Sequence, residues 1–159
     1  MSRKLVAYFS ATGVTANVAK TLADVAGADL YEITPEVPYT EADLNWRDEK
    51  ARSTIERNEP SIRPAVAGRL ENMEEYDIIF VGFPIWWYVA PSIINTFLES
   101  YDFTGKRIIP FATSGGSGMG KTNQKLQSSC AGAILMDGKV LSSRESRDSL
   151  AAWVDGINL

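Results

Sequence analysis

The sequence contains no histidine. That absence excludes Ser-His-Asp and Cys-His nucleophilic catalysis, histidine-based zinc sites and the usual general base near neutral pH. Cysteine is nearly absent too, with Cys130 alone, so there is no intramolecular disulfide and no iron–sulfur cluster. No apolar stretch approaches a membrane span, and "KLVAYF" near the N-terminus is too short for a signal peptide. These features predict a cytoplasmic protein with no membrane partner. Cations do not outnumber anions: the net charge is -4, which argues against nucleic acid as a partner. No catalytic side chain and no metal-ligand set stands out. Whatever chemistry occurs here must come from a bound cofactor.

What is present is an alternation of strands and helices. "KLVAYFS" (Lys4–Ser10) is almost wholly apolar, as in a strand buried on both faces. After Gly13, apolar residues fall at Val14, Val18, Leu22 and Val25, which is helical spacing, and Gly27 ends the helix. "LYEI" then alternates like a second strand, completing a βαβ unit that requires a parallel sheet.

Residues 34–76 are charged and proline-rich, with too few apolar residues for a core of their own. They are expected to form an elaborated crossover, with "WRDEKARSTIERN" a mostly exposed helix and "VAGRLENM" opening a further turn or two. "DIIFVGF" is the third strand, and Pro91 opens a helix whose Ile93, Ile94, Phe97, Leu98 and Tyr101 share a face. "RIIPFA" is the fourth strand, where Pro110 removes a ladder donor and predicts a bulge or a strand end. "GAILM" is the fifth, and "DGKVL" reads as a tight turn with a short extension. Ser142 and Glu145 fit a capping box before a last helix carrying Leu150, Val154 and Ile157. The expectation is one doubly wound α/β domain over residues 1–159, with helices on both faces of five parallel strands.

In such folds ligands bind beyond the carboxyl ends of the strands, where the strand order reverses. Three loops leave those ends. In "SATGVT", the hydroxyls of Ser10, Thr12 and Thr15 join free amides at a helix start, and Gly13 lets the backbone curve around an anion. A simple helix cap would need one hydroxyl, not three. In "PIWWYVAP", Trp86, Trp87 and Tyr88 concentrate aromatic surface on a loop. One of them is expected to face the core, and the others suit a flat ring. "TSGGSGMG" is the third.

On these residues the chain resembles the flavodoxin family. Ser10-Ala11-Thr12-Gly13-Val14-Thr15 matches that family's phosphate loop, [ST]-x-T-G-x-T, throughout. The resemblance implies strand order 2-1-3-4-5 with FMN at the β1/β3 switch point; this is the order known for flavodoxins, not one that spacing dictates. It implies that Ser10, Thr12, Gly13, Val14 and Thr15 hold the FMN phosphate without a basic side chain, and residues 10–16 contain none. Phe83-Pro84, Trp87 and Pro91 resemble the F-P-x-x-W-x-x-x-P loop of flavodoxin-like quinone reductases. Pro84, Ile85, Trp86, Trp87 and Tyr88 are then expected beside the flavin. Thr113-Ser114-Gly115-Gly116 resembles the T-[TS]-G-G loop of those reductases, placing Thr113, Ser114, Gly115, Gly116 and Ser117 along the ring. The function implied is electron transfer between a reductase and an acceptor protein. The alternative is an NAD(P)H-dependent quinone or flavin reductase, although "GMGKTNQ" lacks the tyrosine and histidine those enzymes carry there. A flavin-binding regulatory or storage module is a third reading.

"GGSGMGKT" (residues 115–122) also satisfies the P-loop pattern G-x-x-x-x-G-K-[ST]. The architecture opposes a nucleotide hydrolase. Only residues 123–159 remain beyond it, enough for one strand and one helix, while a P-loop fold builds most of its sheet around that strand. That reading would also leave "SATGVT" and the tryptophan pair unexplained. The match is taken as coincidence, with Lys121 a solvated residue at a helix start.

Overall fold

The computed structural model describes residues 3–45, 47–59, 61–86, 89–113, 122–142 and 144–157. Its centre is a parallel sheet built on β1 (Lys4–Tyr8), with β2 (Asp29–Glu32) on one side and β5 (Ile78–Pro84) on the other. Beyond β5 lies β6 (Arg107–Thr113), and beyond that β7 (Ile134–Leu135) and β8 (Lys139–Leu141) share the edge. The order β2-β1-β5-β6-β7 is the expected 2-1-3-4-5 once a small ribbon in the crossover is counted. That ribbon pairs β3 (Thr34–Pro35) antiparallel with β4 (Val66–Ala67), closing the crossover at its base.

Side chains of the central strands alternate between two cores. Leu5, Ala7 and Phe9 face one core with Ile93, Ile94, Phe97 and Leu98 of α3 (Ser92–Glu99) and Leu126 of α4 (Thr122–Gln127). Val6 and Tyr8 face the other, with Val18, Ala19 and Leu22 of α1 (Val14–Ala26) and Leu150 of α5 (Arg147–Ile157). Helices therefore cover both faces, as the apolar runs of the strands demand. No described helix is long and apolar enough to cross a membrane.

Four local expectations need correction. The exposed helix expected from residue 46 is only α2 (Arg52–Asn58), and it buries Ser53, Thr54 and Glu56. "VAGRLENM" yields β4 and, further on, a single 3₁₀ turn at Met73–Glu75. "DGKVL" is not a turn extension, because Lys139–Leu141 pairs in parallel with Phe111–Thr113 and continues the fifth strand. The final helix starts at Arg147, where the Ser146 hydroxyl caps it by accepting from the Ser149 amide at 3.1 Å. The Ser142 and Glu145 pair does form, with the Ser142 amide donating to Glu145 at 3.0 Å, but one turn ahead of that helix.

Candidate functional site

The first loop is shaped by one glycine. After β1 the Phe9 amide still donates to Gly82 (2.9 Å), and then the chain turns. Gly13 sits at φ 95°, a left-handed conformation that side chains resist, with its amide donating to the Ser10 hydroxyl oxygen at 3.0 Å. The first bond of α1 runs from the Asn17 amide to the Gly13 carbonyl (3.1 Å). The amides of Val14, Thr15 and Ala16 therefore have no acceptor within the helix. Ser10 is half-buried, and Thr12 and Val14 are exposed at the lip. Such a turn presents amides and hydroxyls at the positive end of a 13-residue helix, a neutral cradle for an anion.

Thr15 does not stand at that lip. It is 1 % exposed, and its hydroxyl lies 2.7 Å from that of Thr113, itself buried at the end of β6. One hydroxyl of this pair donates to the other and the second keeps its proton for another acceptor. The contact ties the first loop to the third. The second loop joins them through the Ile85 amide, which donates to the Thr113 carbonyl at 2.9 Å, while Pro84 pairs with Thr113 in register.

Trp86 and Val89 exchange backbone hydrogen bonds of 3.0 and 3.3 Å, closing the second loop. Half-buried, Trp86 turns toward the core. Its ring meets Phe9 edge-on at 5.8 Å and Tyr39 at 5.4 Å. Trp87, Tyr88, Ser114, Gly115, Gly116, Ser117 and Lys121 lie outside the described residues. Thr122 opens α4, and beyond α4 the described residues form the split edge strand and one α-helix.

Tyr39 is the member of this arrangement that the sequence did not single out. Its hydroxyl donates to Glu56 Oε1 at 2.5 Å, and Arg52 Nε donates to Glu56 Oε2 at 3.0 Å. The Arg52 guanidinium also lies 3.8 Å from the centre of the Tyr39 ring and reaches the Val37 carbonyl at 2.6 Å. Burial, reinforced by the Glu56 carboxylate, pushes the Tyr39 phenol far above its ordinary value. The crossover thus supplies a fixed ring behind Trp86. The i, i+4 pair of Arg52 and Glu56 was its only trace in the sequence.

Among known protein families, one described as flavodoxin matches residues 3–157. No curated protein matches the sequence. Among solved structures, a candidate flavoprotein from Bacteroides eggerthii is 45 % identical, with 100 % of this chain and 99 % of that one covered at a TM-score of 0.94. Another from Bacteroides uniformis is 46 % identical, covering 97 % and 98 %, with a TM-score of 0.92. A flavoprotein from Lactobacillus acidophilus in complex with FMN is 20 % identical over 88 % and 93 % of the two chains, with a TM-score of 0.70. At that identity the last likeness is one of fold.

Proposed function

The chain belongs to the flavodoxin family, and from that premise we propose that it holds FMN and carries electrons between a reductase and an acceptor protein. One observation carries the reading. A cation-free cradle at Ser10–Thr15 is joined by the Thr15–Thr113 hydroxyl contact to the end of β6, with the Trp86 loop fastened to the same Thr113 backbone. An anion and a flat ring bound together need that pairing of surfaces.

The residues fit the cofactor in kind. Ser10, Thr12 and the amides that open α1 would hold the phosphate, with Gly13 keeping the backbone close enough to reach it. Trp86, braced by Phe9 and Tyr39, would limit one side of the ring site. Bound FMN supplies the redox chemistry, and the protein sets its exposure and surroundings. With no histidine in the chain, no imidazole is available for proton movement at the site.

Ser10→Ala and Thr12→Val should each weaken FMN by about 1.5–3 kcal/mol, the worth of a hydrogen bond to a charged group, and leave riboflavin binding almost unchanged. Fluorescence titration of both flavins measures this, and equal losses for the two would remove the phosphate assignment. The likeness of the second and third loops to quinone reductases supports a second reading, direct oxidation of NAD(P)H. Anaerobic mixing with NADPH separates the two. A carrier stays oxidised until a separate reductase is added, and rapid bleaching by NADPH alone selects the enzyme.

A further inference from the structure

We propose that the cavity bounded by α2, α3 and α4 is a binding site for a small aromatic carboxylate, separate from the cradle at Ser10–Thr15. Its volume is about 300 Å³, at the low end for small-molecule sites, which suits one or two fused rings and not a dinucleotide. Among the described residues that line it, none belongs to the first loop and Thr113 does not appear. Among the described residues, the site shares with the proposed flavin site only the Trp86 loop, and it rests on its own geometry, whether or not FMN binds.

One wall is apolar: Trp86, Val89, Ala90 and Pro91 lie along the second loop. The Trp86 ring cannot swing freely, because Phe9 and Tyr39 hold it edge-on. The cationic residues Arg57, Arg63 and Lys125 line the same space. Among the described lining residues Glu56 is the single carboxylate, and both its oxygens are engaged by Tyr39 and Arg52. Arg63 pairs with Glu99 at 2.9 Å, whereas Lys125 has no ion pair among the described residues. A ligand carrying an apolar plane and one negative group satisfies both kinds of lining at once.

The frame is assembled without a ligand. Glu99 bridges Arg63 and Ser129, accepting from the Ser129 hydroxyl at 2.7 Å. The Asn95 amide donates to the Ser129 hydroxyl at 2.9 Å and to the Lys125 carbonyl at 3.2 Å. Crossover, α3 and α4 are thereby fixed around the space, so a ligand does not have to order the walls that receive it.

The test is calorimetric titration of the FMN-loaded protein with 1-naphthoate and with its neutral counterpart 1-naphthylmethanol, at low and high salt. Naphthoate should bind saturably and more weakly at high salt, and the alcohol about tenfold more weakly than the acid. Lys125→Ala should cost about tenfold and Lys125→Arg should restore most of it. Ser128→Phe, an exposed lining position, should fill the space and abolish binding, with FMN affinity unchanged in every variant. Absence of saturable binding, equal affinity for acid and alcohol, undiminished binding in Lys125→Ala, or displacement of naphthoate by FMN would each overturn the assignment. If FMN itself fails to bind, the same titration on the protein as isolated decides the matter separately.

Discussion

At the scale of single residues, two glycines show what a sequence reveals and what it hides. Gly13 was legible because a glycine between hydroxyl residues, at the end of an apolar run, has a local reason to be there. Gly82 was not, because its reason lies on another strand. It is the register partner of Phe111, and a Cβ added to it would sit 2.2 Å from the Phe111 ring. Phe111 is fully buried and has little room to yield. Gly82→Ala should therefore destabilise the protein by about 1–3 kcal/mol, the usual cost of overpacking. Adding Phe111→Leu to Gly82→Ala should return part of that loss. Urea unfolding of the two single variants and the double variant checks it, and simple additivity would show that the ring and the missing Cβ do not compete. Thr15 teaches the same lesson: its hydroxyl was legible as part of a cradle, but its partner Thr113 lies 98 positions away.

Among the elements, the strands were the readable part, and defects shifted to their neighbours. Pro110 predicts a break in its own strand, yet β6 runs unbroken from Arg107 to Thr113. The Ile108 carbonyl accepts from the Met136 amide, so even-numbered residues of β6 turn their amide edges toward the sheet margin. The donor missing at Pro110 therefore faces the margin strand, where pairing jumps from Ile108↔Leu135 to Phe111↔Lys139. One extra residue on that strand is a bulge, and it splits the fifth strand into β7 and β8. The crossover was least readable, since α2 is held by a polar cluster rather than an apolar stripe. That cluster carries a pH dependence. Because the Tyr39 phenol is raised in the folded state, its contribution is complete below the ordinary tyrosine value near about 10 and is lost as pH climbs toward the folded value. Burial also pushes Tyr31 up to about 12, in the same direction. The urea midpoint should stay level from neutrality to about pH 10 and then fall, less steeply in Tyr39→Phe. A midpoint that falls equally in both proteins would detach the cluster from the alkaline transition.

Taken whole, the molecule brings its candidate site together from three strand ends, which among the described residues touch through few bonds. The Thr15–Thr113 hydroxyl pair, the Ile85 amide on Thr113 and the edge-on Trp86 contacts are the links described between them. The cores beneath are continuous and fully buried, so most stability should survive without a ligand. A ligand that bridges the loops adds stability by mass action, since it binds the folded chain and not the unfolded one. At a hundredfold excess over its dissociation constant the gain is about 2.7 kcal/mol. On the proposed assignment FMN would reach both the cradle and the ring site, whereas riboflavin would leave the cradle to water. If the phosphate contributes two charge-assisted hydrogen bonds of about 1.5–3 kcal/mol each, riboflavin binds at least about a hundredfold more weakly. At equal flavin concentration, set a hundredfold above the FMN dissociation constant, riboflavin should then raise stability by less than about 0.5 kcal/mol. Urea unfolding with no flavin, with riboflavin and with FMN measures the series directly. A large rise with FMN alone locates the binding energy in Ser10–Thr15; equal rises with both flavins would move it to the ring, and no rise with either would take the flavin out of the site.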